Sequence, residues 1–391
     1  MSNVRKLYFI RFFQHLIPAY VIERLFWEER GMTIPMVVLT EIIFALTIVI
    51  LEIPTGIFAD KWGRKRMLLT AAFIGCLEFL LLLFATEFWH FALVVFLTAI
   101  ASSASSGADN ALLYDSLQEA GEQSSFERIV GRMNALDIAA IMIAALSGSL
   151  LAGKFGFSFN YWLSFVSMLI ALVLTLSLRE PGRGVTNEDA SAIPIRTYVR
   201  ESIAFFRGHP GIYPVVLTGM ITGAAINFVD EFWQLYLERQ GIPVAAFGVF
   251  SAALFLARLP GNLLAYKLKE RMKLGTLLML ITAALAVGFA YLARARDWSG
   301  LIALFLVCMA AGVIEPLAAG YLHHRIDSTM RATLDSFQSL GLNAALVTTG
   351  IGFGYFASEL DLFGGFGFIA AMAAAFLVYL AGFSRKRTGS A

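Results

Sequence analysis

Several apolar stretches of this sequence carry residues that such stretches seldom tolerate. Residues 6–27 hold Arg11, Gln14, His15, Pro18 and Glu23, with positions 11, 15 and 18 on one helical face. Residues 89–117 hold Asp109 and Asn110 among Ser102, Ser103, Ser105 and Ser106, and residues 66–86 hold Glu78. Residues 211–237 place Asn227, Asp230, Glu231 and Gln234 at i, i+3, i+4 and i+7, one polar stripe on a helix. Arg258 lies in 244–267, and Glu315 lies in 299–323 just before Pro316, where backbone groups can be freed. An ionisable side chain inside a membrane is costly and marks function by default. Three chemistries are open to these residues. A carboxylate can load and release a proton when burial alters its acidity, the acid pair Asp230 and Glu231 can hold a cationic substrate, or the acids can form static pairs with Arg11 or Arg258.

The surrounding composition explains why these positions are membrane positions. Of 391 residues 58% are hydrophobic and 15% charged, against about 25% charged in soluble domains, and mean hydropathy is +0.73. That apolar surface exceeds what a soluble core can bury, so lipid must cover the remainder. Twelve runs are long enough to span a bilayer: 6–27, 36–59, 66–86, 89–117, 128–153, 157–178, 211–237, 244–267, 274–294, 299–323, 331–357 and 362–383. The first is broken by polar residues and followed by no small-residue cleavage site, so it is expected to persist as a helix. Of the 30 Lys and Arg residues, alternate loops on one side keep only Arg24, Arg30, Lys154, Arg239, Arg294 and Arg296. The rest, Arg11 and Arg258 apart, crowd the other side, which puts both termini in the cytoplasm. The polar stretch 179–209 divides the chain into six runs (1–178) and six more (210–391), and residues 195–207 read as an amphipathic surface helix or as an extension of the seventh run. Cys76 and Cys308 sit in separate apolar runs and read as small core side chains.

The two halves resemble each other. Setting Gly107 against Gly312 aligns Asn110 with Glu315; Arg132–Asp137 (RMNALD) resembles Arg331–Asp335 (RATLD); Pro54 and Gly56 match Pro260 and Gly261. Between the second and third runs the chain reads GIFADKWGRKR, from Gly56 to Arg66. This is similar to the signature loop of the major facilitator superfamily, GxxxD(R/K)xGR(R/K), matching at Gly56, Asp60, Lys61, Gly63, Arg64 and Lys65. The resemblance implies an all-α polytopic membrane protein, with twelve transmembrane helices in two pseudo-symmetric six-helix bundles.

The resemblance also implies a cytoplasmic gate: Asp60 against the start of the eleventh helix near Arg331, and Arg64 or Lys65 against Asp115. Asp137 is expected to pair with Arg132 or Arg331 near that gate. The second-half loop has Ala265 where the first has Asp60, so the latch is expected to be one-sided. In the family the first, fourth, seventh and tenth helices line the cavity. That makes Asp109 and Glu315 the leading proton-coupling residues, with Asp230 and Glu231 next. Arg11, Gln14, His15, Asn110, Asn227, Phe232, Gln234 and Arg258 are the expected cavity residues.

The function implied is secondary active transport by alternating access, with proton-coupled efflux of hydrophobic or amphipathic small molecules the preferred form. A proton-coupled transporter of a defined nutrient, metabolite or lipid is the alternative, and a non-transporting membrane receptor a distant one. The GxxxGPxxGG pattern of antiporters is absent from the fifth run, where LSGSLLAG has no proline. No metal-ligand cluster, Gly-x-Ser-x-Gly elbow or phosphate loop appears, so neither an enzyme nor an ATP-driven pump is expected, and no cofactor. A monomer in a bacterial inner membrane, with no nucleic-acid partner, completes the expectation.

Overall fold

The structure, a computed structural model, describes residues 2–106, 108–180, 213–314, 316–317 and 331–388, with side chains described at all of these except 52–61, 331–339 and 384–388. Glu315, the proposed surface helix at 195–207, and the side chains of Gly56, Asp60, Lys61 and Arg331 therefore lie outside the described residues. Every described element is helical, as lipid requires of a chain whose backbone groups must be satisfied internally.

The first half contains α1 (Asn3–His15), α2 (Glu23–Glu29), α3 (Ile34–Trp62), α4 (Arg64–Phe84), α5 (Phe88–Ser105), α6 (Ala108–Glu119), α7 (Phe126–Phe155) and α8 (Phe157–Leu176). The second half contains α9 (Tyr213–Arg239), α10 (Phe247–Arg271), α11 (Leu274–Leu292), α12 (Ser299–Gly312) and α13 (Arg331–Thr388). Non-helical Leu360 and Asp361 split α13 into two arms. Among the described residues nine helices are long and apolar enough to cross a membrane. The split of α13, the short apolar α12 and the interrupted first run account for the remainder of the twelve expected spans.

The chain forms two compact units. Unit 1 comprises Met1–Met32, Ile43–Ala192 and Ile242–Ala252; unit 2 comprises Thr33–Ile42, Ile193–Gly241 and Ala253–Ala391. In unit 1, Leu7 and Ile10 of α1 share a core with Ala104, Ala108, Leu112, Ile129 and Met133. In unit 2, Phe353 stacks on Phe228 and Phe232 at 4.7 and 5.1 Å, and Phe366 continues the column to Tyr236 and Phe289. Offset rings of this kind add to burial energy beyond their area.

The first expected span is not one helix. α1 stops at His15, a 3-10 turn occupies Pro18–Val21, and α2 resumes at Glu23. Proline has no amide hydrogen and disfavours helical backbone in the residue before it. Polar side chains of α8 and a glycine of α7 make the break tolerable. Asn160 donates to the Pro18 and Gly148 carbonyls at 2.9 and 2.8 Å, Ser164 Oγ accepts from the Ala19 amide at 3.0 Å, and Ser167 Oγ donates to the Phe13 carbonyl at 2.8 Å. A Cβ on Gly148 would strike the Pro18 backbone.

Candidate functional site

The fourth expected span is interrupted as well: α5 ends at Ser105 and α6 begins at Ala108. The C-terminal end of α1 and the N-terminal end of α6 thus both border the core that Leu7, Ile10, Ala104 and Ala108 share. Such ends expose partial charges, negative at a C-terminus and positive at an N-terminus. The sequence answers each one, with His15 in the last turn of α1 and Asp109 in the first turn of α6.

Arg11 joins these ends. Its Nη2 pairs with Asp137 of α7 and donates to Asn134 Oδ1 at 3.3 Å, while Nη1 lies 3.9 Å from Asp109 Oδ2. His15 Nδ1, which donates to the Arg11 carbonyl at 2.9 Å, stands 3.5 Å from the second Asp137 oxygen. The core sets this register: Arg11 is one turn beyond Leu7 and Asp137 one turn beyond Met133, both buried in the shared cluster. One guanidinium therefore serves two carboxylates, so the group carries one surplus negative charge while His15 is neutral. The acids differ in access, since the side chain of Asp137 is 9% exposed and that of Asp109 is 35% exposed. Asp137 is therefore the buried acid of the group and Asp109 the more open one.

Unit 2 holds a second charged pair, Asp230 of α9 with Arg258 of α10. Both side chains are partly open, and Cys308 of α12 lies beside the guanidinium. α10 and α12 cross with backbones nearly touching. A Cβ on Gly261 would collide with the Met309 carbonyl, and one on Gly312 with the Arg258 carbonyl. Close approach of this kind needs glycine, and Pro260 lies within α10 one residue before it.

A third cluster surrounds the signature loop. Arg64 pairs with Asp115 and donates to the Ala111 carbonyl at 2.7 Å. Gly63 has φ +98°, a left-handed conformation that glycine adopts without a Cβ penalty. The Glu180 carboxylate accepts from the Arg64 and Lys65 amides at 2.8 and 2.9 Å, so it caps α4 across the space that a Cβ on Gly63 would enter. Asn3 and Lys6 bind the same chain segment through the carbonyls of Arg179 and Ser177.

Three sequence expectations need correction. Asp137 engages Arg11 and His15 rather than Arg132, because five residues around a helix is roughly 140° and turns the two apart. Phe232 is fully buried in the aromatic column and Gln234 is buried, so neither lines an open cavity. Asn227 and Glu231 are half-buried, Gln14 likewise, and Asn110 is exposed with its amide on Asp109 at 2.7 Å. The sequence reading passed over Asn134, Asn160 and Glu180. The Pro18 break was the available signal for Asn160; nothing local pointed to Glu180.

A family model described as Major Facilitator Superfamily matches residues 7–335. The chain is 21% identical over 329 residues to the uncharacterised MFS-type transporter YxaM of Bacillus subtilis, covering 80% of this chain and 78% of that one. It is 23% identical over 333 residues to the class H tetracycline resistance protein of Pasteurella multocida, covering 82% and 77%. An uncharacterised transporter of Buchnera aphidicola matches at 27% identity over 136 residues, 33% of its length. Among solved structures, the nucleoside transporter NupG superposes with a TM-score of 0.77 at 16% identity, over 98% of this chain and 99% of that one. A D-xylose–proton symporter gives 0.71 at 11% identity, over 96% of each.

Proposed function

The chain belongs to the major facilitator superfamily, and from that premise we propose that it is a proton-coupled exporter of hydrophobic or amphipathic small molecules working by alternating access. It is a multi-pass membrane transporter and not an enzyme. The observation that carries the proposal is the Arg11 group, one guanidinium shared by two carboxylates where two spans are interrupted. Its surplus negative charge can be met either by a proton on Asp109 or by a cationic or dipolar solute. Competition between the two for one charge is what an antiporter requires. The tetracycline-resistance relative supports export as the direction. In this reading the inner membrane of a bacterium holds a monomer with both termini cytoplasmic, and the Arg64–Asp115 pair belongs to the cytoplasmic gate. Glu315 and Glu231 are further candidates for the proton.

The test is transport in proteoliposomes carrying Asp109→Asn. Uptake driven by a pH gradient should vanish while substrate–substrate exchange persists, since exchange needs no proton. Undiminished gradient-driven transport would remove Asp109 from the mechanism. The partly open Asp230–Arg258 pair favours a second reading, a polar metabolite held by opposite charges in unit 2. A thermal-shift panel of drugs, nucleosides, sugars and peptides separates the two, because only the second predicts a hydrophilic hit that Arg258→Gln abolishes.

A further inference from the structure

The hairpin of α11 and α12 in unit 2 does not close along its whole length. A cavity of about 600 Å³ opens between the helices, with Ala284 of α11 and Ala310 of α12 in its lining. Its floor is sealed where Gly288 lets Val307 reach across the seam, a contact that any Cβ at 288 would obstruct. Its walls are Val287, Ile302 and Leu306, each about half or more exposed, an apolar surface of the kind a spanning helix turns to lipid. The lining is apolar except at one end, where the Tyr291 and Ser299 hydroxyls hydrogen-bond to each other at 2.7 Å. The occupant this shape selects is long and apolar, with polarity at the end nearest the connecting turn.

That turn, residues 293–298, reads ARARDW and carries two arginines against one aspartate. The aspartate is already engaged: Asp297 accepts from the Ser299 amide at 2.9 Å and from its hydroxyl. Arg296 is held over the Phe363 ring and donates to the Ala293 and Ala295 carbonyls. Arg294 is exposed, and Trp298 stands 71% exposed beside it, the usual posture of an interfacial anchor. The mouth of the groove is therefore positive and lies at the polar boundary of the bilayer.

We propose that this groove binds one anionic phospholipid, its acyl chain between α11 and α12 and its headgroup phosphate at the Arg294 end of the turn. The charge decides against a zwitterionic lipid, and the apolar lining with its exposed apolar walls decides against a water-borne solute. The site lies on the outside of the α11–α12 hairpin and does not depend on what the protein carries.

The test uses the full chain, purified, stripped of lipid and offered equal phosphatidylglycerol and phosphatidylcholine before native mass spectrometry. One phosphatidylglycerol should be retained preferentially, and Arg294→Gln should lower the preference about fivefold, as expected for one arginine at a membrane surface. Filling the groove with Ala284→Phe and Ala310→Phe should abolish retention without lowering the unfolding temperature. Equal retention of the two lipids by the wild-type chain would overturn the proposal, as would full phosphatidylglycerol retention in the filled groove. Should the filled variant unfold, Arg294→Gln decides alone: an unchanged preference rejects the site.

Discussion

Replacing Arg11 by Gln tests whether the charge cluster of unit 1 is mutually dependent. The Asp137 side chain is 9% exposed and pairs with Arg11, so the substitution strands a carboxylate in a low-dielectric interior. Breaking a buried pair from one side costs about 3–5 kcal/mol, and an acid at the centre of a membrane helix about 2.5–3.5 kcal/mol. Both estimates meet near ~3 kcal/mol. Adding Asp137→Asn removes the stranded charge and leaves two amides, with a net loss of about 1 kcal/mol at most for a hydrogen bond within a bundle. The double variant should therefore be more stable than Arg11→Gln alone by about 2 kcal/mol, a strong positive coupling. Asp109→Asn should cost below about 1 kcal/mol, since its contact is 3.9 Å long and its side chain one-third exposed. The assay follows from Cys76 and Cys308, both buried, one in each unit. A thiol-reactive fluorogenic dye reports unfolding, and Cys308→Ser leaves unit 1 as the source of signal. Arg11→Gln should lower the midpoint on the order of 5–10 °C for a domain of this size, and Asp137→Asn should restore most of that. Additive losses in the double variant would refute the shared-charge account.

Other positions give sharper, smaller tests. Glu180→Ala removes the cap on α4 and should cost about 1 kcal/mol, read as faster amide exchange at Arg64 and Lys65 with the core unaffected. Gly63→Ala should cost more, about 1–2 kcal/mol for a Cβ in left-handed backbone, and a Cβ there would also sit 3.0 Å from Glu180 Oε1; a stabilised variant by thermal unfolding would contradict this. Asn160→Leu removes the donor to the Pro18 and Gly148 carbonyls and should lower the unfolding temperature of unit 1 by more than Asn110→Leu, whose side chain is exposed. Gly261→Val forces α10 from the Met309 carbonyl and should abolish transport and yield of folded protein together.

Hydropathy made the twelve spans and the all-helical class legible, because a membrane permits so few alternatives. The Arg64–Asp115 contact was legible through the resemblance of the signature loop, which implied a carboxylate partner for Arg64 or Lys65 at Asp115. Partners along one helix were read less well. Asp137 looked like a neighbour of Arg132 because the two are close in sequence, whereas angular position on the helix assigns it to Arg11. Phe232 was expected in the cavity because it lies on the seventh helix, yet its angular position carries it into the Phe353 column. Glu180 was hidden because the group it satisfies is backbone, which has no sequence signature. The Pro18 break was visible as composition, but the side chains that stabilise it lie 142 to 154 residues away.

That separation governs how the protein is made. The segment from Asn3 to Glu29 carries Arg11, Gln14, His15 and Glu23, each unfavourable for insertion by the translocon. Its break stays unsatisfied until Asn160, Ser164 and Ser167 have been synthesised. This segment is therefore made before its partners and completed late: it must wait in the translocation channel or at the membrane surface while five further spans enter. Nascent chains arrested before Asn160 should leave the first segment extractable from the membrane by alkaline carbonate, and chains arrested well past Ser167 should not.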